Sequence, residues 1–194
     1  VCGQEGIRLN FRAEVIRIEL REDLERFAAE EGPRLSAGRV PLAEQRFEYV
    51  MDEVTPPFRV RGRIDRYEVS EGGAALVVDY KYSTQDRIEK LIEEHEAGAR
   101  VQGPLYMLGL EKQRNLKPAG IVFQGLRGES SRRGWYVVGA APPDPDLEEK
   151  TPQEFHKMLE AAAARALGVV TEIRDGRVAV EPRDRSVCRR FCPY

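Results

Sequence analysis

The chain has 194 residues and a formal net charge of −2, with 41% hydrophobic and 33% charged residues. These numbers suit a single globular domain with a hydrophobic core, and we treat residues 1–194 as one domain. They exclude a globally basic nucleic-acid-binding protein, so any contact with nucleic acid must use a local basic patch. No apolar run approaches the ~18 residues of a transmembrane helix, which predicts no membrane association. Without the basic start and apolar stretch of a signal peptide, we expect a cytoplasmic protein.

Hydrophobic periodicity and turn residues predict nine regular elements. We predict helices over 11–31, 85–96, 100–112 and 151–168, and strands over 45–50, 58–69, 74–82, 121–126 and 135–139. Gly32 and Pro33 are expected to end the first helix, and Gly168 the last. Thr151 and Glu154 have the spacing of a capping box, and Asp175 with Gly176 predicts a short final hairpin. This mixture indicates an α/β fold in which a mixed central sheet is flanked by helices.

The hairpin that turns at Gly72 places charged side chains on one face. If the turn is centred there, residues whose numbers sum to about 144 pair across the strands, so Asp65 lies opposite Asp79. Lys81 follows two residues later and therefore points to the same face. The opposite face carries three apolar residues that we assign to the core: Ile64, Leu76 and Val78.

Two directly opposed carboxylates repel each other, and a bound divalent cation would offset that repulsion. Mg²⁺ prefers carboxylate oxygens and needs only one or two of them. Such an ion could bind a phosphate oxygen and acidify a water for in-line attack, while a neighbouring lysine orients that water or stabilises charge. The alternative is a surface hairpin in which aspartate and lysine form a cross-strand salt bridge. A D-x-K pattern alone does not decide between the two.

Three motifs in order resemble those of the PD-(D/E)XK nuclease superfamily. They are a G-x-x-D motif ending at Asp65, a D-x-K motif from Asp79 to Lys81, and a Q-x-x-x-Y motif from Gln102 to Tyr106. The resemblance is strongest to the RecB-like group, which includes the nuclease domains of AddB-type helicase–nucleases and Cas4-type enzymes. It implies a restriction-endonuclease-like core, with residues 1–40 as an N-terminal helical segment, 41–140 as the catalytic core and 141–194 as the C-terminal part.

The same resemblance implies roles for individual residues. Asp65, Asp79 and the backbone carbonyl of Tyr80 would hold Mg²⁺ or Mn²⁺, and Lys81 would be the catalytic lysine. Gln102 and Tyr106 lie at i and i+4 and would face the site from one helix. Seven arginines are candidates for contacts with the DNA backbone: Arg59, Arg61, Arg63, Arg66, Arg87, Arg132 and Arg133.

The implied activity is hydrolysis of DNA phosphodiester bonds by a divalent-metal-dependent exonuclease of a DNA repair or recombination helicase–nuclease. The implied partners are single- or double-stranded DNA and a helicase subunit or domain. A second hypothesis is a non-catalytic domain that keeps the nuclease fold and binds nucleic acid or a helicase. A third is an unrelated metal-binding α/β protein.

The C-terminal segment is similar to the one with which relatives bind an iron–sulfur cluster. Gly176 and Pro182 precede Cys188 and Cys192, and the resemblance implies that these two cysteines ligate a [4Fe–4S] cluster in the full-length protein. Their x3 spacing is longer than the x2 expected, and even with Cys2 three thiolates do not complete a four-cysteine site. Unligated cysteines are the alternative.

The sequence departs from the RecB-like pattern in its histidines. These enzymes carry a histidine ligand on a helix upstream of the G-x-x-D strand, whereas no histidine precedes Asp65 here. We expect the corresponding helix to lie before Val1, in a longer protein of which this chain is a piece. His95 and His156 are expected to be surface or helix-packing residues, and Glu44 a structural one.

Overall fold

A computed structural model describes residues 11–35 and 38–178. The helices are α1 (Phe11–Leu35), α2 (Gln85–Glu96), α3 (Gln102–Arg114) and α4 (Pro152–Arg174). The strands are β1 (Arg39–Met51), β2 (Phe58–Ser70), β3 (Ala74–Lys81), β4 (Lys117–Gly125), β5 (Ser131–Val137) and β6 (Glu148–Lys150). Cys2, Cys188 and Cys192 lie outside the described residues. Among the described helices, none is both long and apolar enough to cross a bilayer.

One mixed sheet of six strands forms the centre of the fold, and its spatial order follows the chain from β1 to β6. The pairs β1–β2, β2–β3 and β4–β5 are antiparallel, whereas β3–β4 and β5–β6 are parallel. The parallel step from β3 to β4 requires a crossover, which α2 and α3 supply. This architecture confirms the predicted α/β fold, a mixed central sheet flanked by helices.

The two faces of the sheet bury unequal cores. Helices α2, α3 and α4 pack on one face, where Ile88, Met107 and Phe155 join buried strand residues such as Val77 and Phe123. The other face has a smaller cluster built on five buried residues: Leu76, Val78, Val122, Tyr136 and Leu147. Helix α1 contacts this second face through the ring of Phe27, which packs edge-on against Tyr80 at 5.5 Å.

The β2–β3 hairpin has the predicted register. Val69 pairs with Ala75 and Arg66 with Val78, as a turn centred on Gly72 requires. The assignment of Ile64 to the same face as Leu76 and Val78 is wrong, because Ile64 packs in the larger core instead. Beside Ile64, the β1–β2 ladder is interrupted at Glu44, whose φ is 54°. At this interruption the side chains of β2 exchange the two faces of the sheet.

Several predicted boundaries are wrong. Helix α1 runs through Pro33 to Leu35, since a proline in the last turn removes only a hydrogen bond near the helix end. Helix α4 begins at the predicted capping box of Thr151 but passes through Gly168 to Arg174. A helical glycine costs about 1 kcal/mol relative to alanine. The last turn of α4 gains a tertiary contact, because Arg174 donates hydrogen bonds to the carbonyls of Pro56 and Pro57.

Two further differences concern the C-terminal half. Arg132 and Arg133 lie in β5, which starts at Ser131, earlier than the strand predicted over 135–139. The short strand β6 pairs in parallel with β5 and has only three residues, too few for a period-2 pattern to reveal. Asp175 and Gly176 form the turn that ends α4, and the predicted hairpin beyond them extends outside the described residues.

Candidate active site

Asp79 and Lys81 lie at the end of β3, on the sheet face that α2 and α3 cover. The preceding residues of β3 are buried on both faces, as expected for a central strand between β2 and β4. Asp79 is only 1% exposed, whereas the side chain of Lys81 is 29% exposed. The Lys81 Nζ atom lies 2.5 Å from Asp79 Oδ2. A deeply buried carboxylate is therefore in contact with an ammonium group that reaches solvent.

Asp65 joins this pair at the point where the two strands separate. The β2–β3 ladder extends to the pair of Arg66 with Val78. Beyond it, the backbone N–H of Tyr80 donates a 3.0 Å hydrogen bond to Asp65 Oδ2. The Asp65 carboxylate thus takes the place of a strand carbonyl as acceptor, and it lies beside Asp79 because Tyr80 is the next residue of β3. The structure brings Asp65, Asp79 and Lys81 together.

The charge on Asp79 is poorly compensated by its surroundings. Burial raises the pKa of Asp79 above its ordinary value. The hydrogen bond and charge of Lys81 oppose this, the Asp65 carboxylate adds to it, and the charge of Arg100 opposes it. Its Oδ2 atom contacts Lys81, and within the described part of the chain Oδ1 has no hydrogen-bond partner. A buried carboxylate oxygen without a donor is unfavourable unless a further cation or donor is supplied.

These features fit a site for a hard divalent cation. Asp79 offers buried oxygens, of which Oδ1 has no partner among the described residues, and the Asp65 carboxylate lies beside it. Within residues 11–35 and 38–178, no three His, Cys, Asp or Glu side chains form a cluster that could hold an ion. Two carboxylates are sufficient for Mg²⁺, which keeps several of its waters.

Gln102 and Tyr106 lie on α3 and contact each other. The Gln102 side-chain amide donates a 2.7 Å hydrogen bond to the Tyr106 hydroxyl, and the Tyr106 ring packs edge-on against Phe47 at 5.5 Å. Among the described contacts, neither residue has a hydrogen bond or ion pair with Asp65, Asp79 or Lys81. The structure places this pair on the helix that covers the site face, without bringing it into hydrogen-bonding contact with the carboxylates.

Gly62 of the G-x-x-D motif has a packing role. A Cβ atom there would lie 2.9 Å from the Phe47 ring and 3.5 Å from the Tyr106 ring. The shorter distance is one that real Cβ atoms essentially never show, so a side chain at residue 62 would displace Phe47. The glycine therefore lets α3 and its tyrosine approach the strand that carries Asp65.

The two histidines and Glu44 have structural surroundings. His95 is buried, its Nδ1 atom lies 2.8 Å from the Leu91 carbonyl, and its ring packs against Phe123 with centroids 4.5 Å apart. His156 is exposed near Glu160. Glu44 forms an ion pair with Arg63 at 2.9 Å. The expectation that the histidines are surface or helix-packing residues is confirmed.

The predicted set of DNA-contacting arginines is only partly exposed. Arg66 is buried in ion pairs with Glu31 and Glu68. Arg132 is buried in an ion pair with Asp144, so the expectation is wrong for these two arginines. Three others are more accessible but paired with glutamates: Arg59, Arg63 and Arg133. Within the described residues, the remaining two form no ion pair: Arg61 and Arg87.

Sequence reasoning missed Arg100 as a residue near the site. It lies in the loop between α2 and α3 and acts electrostatically on Asp79. It also pairs with Glu94 on α2. Its position two residues before Gln102 of the third motif is the sequence signal that could have identified it.

Comparison with known proteins bears on the family. A family model of the PD-(D/E)XK nuclease superfamily matches residues 6–194. The chain belongs to the PD-(D/E)XK nuclease superfamily. The mixed sheet with its flanking helices is the restriction-endonuclease-like fold of PD-(D/E)XK nucleases, which are typically metal-dependent phosphodiesterases acting on DNA with ions such as Mg²⁺ or Mn²⁺.

Other comparisons add little to this PD-(D/E)XK assignment. The crystal structure of SSO0001 is similar at 12% identity with a TM-score of 0.44, over 91% of this chain and 69% of that one. A likeness of that size supports no argument about function. No curated protein sequence matches the chain.

Proposed function

We propose that this protein is a divalent-metal-dependent DNA nuclease that hydrolyses phosphodiester bonds. Its active site would be formed by Asp65, Asp79 and Lys81. The observation that carries the proposal is the buried carboxylate of Asp79, which contacts one cation, Lys81, and has the Asp65 carboxylate as its neighbour. A structural salt bridge has no use for a second carboxylate beside the first, since the two repel each other. A site for a divalent cation needs such neighbouring carboxylates.

Each residue of the candidate active site has a defined role in this proposal. Asp65 and Asp79, with the backbone carbonyl of Tyr80, would hold Mg²⁺ or Mn²⁺. When bound, the ion supplies positive charge that polarises the scissile phosphate. The Lys81 ammonium, fixed against Asp79 and partly open to solvent, orients the attacking water and stabilises the charge that develops on the phosphate. Gln102 and Tyr106 support the site face from α3.

Mutation of Lys81 tests the proposal directly. We expect Lys81→Ala to lower the rate of DNA cleavage in Mg²⁺ or Mn²⁺ by about 10²–10⁴-fold, the range lost with a catalytic proton-transfer or charge-stabilising group. The matched control is Lys157→Ala, on the exposed side of α4, which should cleave like the unmodified protein. Unchanged cleavage by the Lys81 variant would overturn the proposal.

A second candidate function is a non-catalytic domain that binds nucleic acid or a helicase. It is favoured by the departure from the RecB-like pattern, since no histidine precedes Asp65 in this sequence. DNA binding without metal-stimulated cleavage by the unmodified protein would support this candidate. Cleavage that depends on both the divalent ion and Lys81 would exclude it.

We further propose membership of the RecB-like group, exonuclease action and association with a DNA repair helicase. The support is the ordered set of three motifs, whose residues lie on β2, β3 and α3. A [4Fe–4S] cluster at Cys188 and Cys192 remains a prediction, because both lie outside the described residues. End-labelled linear and closed circular DNA substrates distinguish exonuclease from endonuclease action. An exonuclease degrades the linear form and leaves the closed circle intact.

A further inference from the structure

A second feature lies beside Lys81, in a pocket between β3 and the helices that follow it. The pocket has a volume of about 200 Å³ and is lined by four cationic side chains and one carboxylate: Lys81, Arg87, Lys90, Arg100 and Glu94. Three of these five lie at helical spacing on one face of α2: Arg87, Lys90 and Glu94. The pocket therefore combines one helix face with the end of the strand that carries Asp79.

The positive charge of this pocket is only partly neutralised. Lys81 pairs with Asp79, and Arg100 pairs with Glu94, whose pKa is lowered by the hydrogen bond from that guanidinium. Within the described residues, Arg87 and Lys90 form no ion pair. Gathering like charges destabilises a fold through repulsion, so a surface pocket with two unpaired cations beside two paired ones is a favourable place for an anion.

Position decides which anion fits. Lys81 belongs both to this pocket and to the proposed catalytic group, so a ligand in the pocket lies directly beside the scissile phosphate. Arg100 acts electrostatically on Asp79, which places the pocket within reach of the same field. Arginine and lysine contacts to phosphate oxygens supply most of the sequence-independent affinity for DNA.

We infer that this pocket binds a phosphate of the DNA strand next to the one that is cleaved, with Arg87 and Lys90 as its phosphate ligands. The inference rests on the proposed function for the identity of the strand. Glu94 is a positioning residue that orients Arg100. The pocket would thereby fix the register of the strand relative to Asp65 and Asp79 without reading its sequence.

The test measures DNA binding separately from cleavage. Fluorescence anisotropy with a short labelled duplex, in EDTA to prevent hydrolysis, should give about tenfold weaker binding for Arg87→Gln/Lys90→Gln at low salt. Its slope of log affinity against log salt should be shallower by about 0.9 for each lost phosphate contact. The charge-conserving variant Arg87→Lys/Lys90→Arg should retain most of the affinity. The control Arg12→Gln/Lys157→Gln removes two exposed cations elsewhere and should change the slope little.

The outcomes separate this inference from the proposed nuclease activity. If the unmodified protein does not cleave DNA but the pocket variant binds it more weakly with a shallower salt slope, the pocket stands and the nuclease proposal fails. If cleavage depends on Lys81 while the pocket variant matches the Arg12 and Lys157 control in affinity and slope, the pocket inference is overturned. With both correct, the pocket variant should raise KM about tenfold and leave kcat nearly unchanged, because a flanking contact contributes uniform binding.

Discussion

Two clusters of charged side chains are buried on opposite faces of the sheet, and they are compensated differently. On the α1 face, Glu31 contacts Arg66 and Arg34, and Arg66 also contacts Glu68 at 2.9 Å. On the α2 and α3 face, the buried Asp79 has Lys81 as its contacting cation and a second carboxylate as its neighbour.

This difference separates two uses of buried charge. A network in which every carboxylate contacts a guanidinium holds elements together, here α1 against β2, and it has no need of a further ion. A buried carboxylate left short of positive charge costs stability, and proteins retain such groups chiefly at functional sites. Burial alone therefore does not identify an active site; what distinguishes Asp79 is that its second charged neighbour is another carboxylate.

The largest expected effect comes from breaking the compensated network. Arg66→Met should lower the free energy of unfolding by about 3–5 kcal/mol, because it leaves Glu31 and Glu68 buried without their shared cation. Urea denaturation followed by circular dichroism measures this. Arg133→Met, which removes a more exposed ion pair with Glu89, should cost no more than about 1 kcal/mol. Lost cleavage by a still-folded Arg66 variant would contradict the separation of the two clusters.

The next effect is stabilisation by a divalent ion, which should act on the cluster of Asp65, Asp79 and Lys81 alone. Mn²⁺ at a hundredfold excess over its Kd should stabilise the protein by about 2.7 kcal/mol. Differential scanning calorimetry at constant ionic strength should show no such shift for Asp65→Asn/Asp79→Asn. The exposed control Asp52→Asn should keep the full shift. An equal shift in all three proteins would place the ion elsewhere.

A smaller effect should follow from neutralising Asp79 itself. Asp79→Asn should abolish cleavage yet raise the free energy of unfolding at pH 7 by about 0.5–2 kcal/mol, as for other functional sites held at a cost to stability. The sign follows from its pKa, which burial raises: the folded protein prefers the protonated acid, so the ionised form weakens the fold above that pKa.

The pH dependence provides the check on that sign. As the pH falls through the raised pKa of Asp79 towards the ordinary value of 3.8, the unmodified protein takes up the proton and its disadvantage relative to the asparagine variant should disappear. Paired urea titrations from pH 7 to pH 4 measure this difference. A gain in the free energy of unfolding that is independent of pH, or a loss at pH 7, would contradict the assignment of Asp79 as a buried charge that costs stability.

The smallest effect concerns the hydroxyl of Tyr106. Tyr106→Phe keeps the ring that packs on Phe47 but removes the hydrogen bond from Gln102, at a cost of about 0.5–1.5 kcal/mol. Tyr67→Phe is the matched control, because its hydroxyl accepts a 2.7 Å hydrogen bond from Arg114. If Tyr106 supports the site, its variant should lower kcat several-fold while the Tyr67 variant leaves kcat unchanged. Equal kcat values would assign Tyr106 a packing role only.

Much of the site could be predicted because it depends on short-range geometry. The turn at Gly72 and the two-residue period of a strand predict the observed register of β2 and β3, and hence the neighbourhood of Asp65 and Asp79. The capping box at Thr151 is equally local, and the structure contains it. The face assigned to Ile64 failed because β2 changes face beside Glu44, an irregularity that no residue pattern announces.

By itself, the sequence determined the order of the elements, the three motifs and the residues that the hairpin aligns, since each depends on spacing within one or two adjacent segments. Only the tertiary structure decided which charges are satisfied. Arg66 is paired by Glu31 from a helix 35 residues earlier in the chain, and Arg132 by Asp144 from a later loop. Arg87 and Lys90 remain unpaired beside Lys81 among the described residues. Such pairing depends on segments that folding brings together, and a one-dimensional pattern does not contain that information.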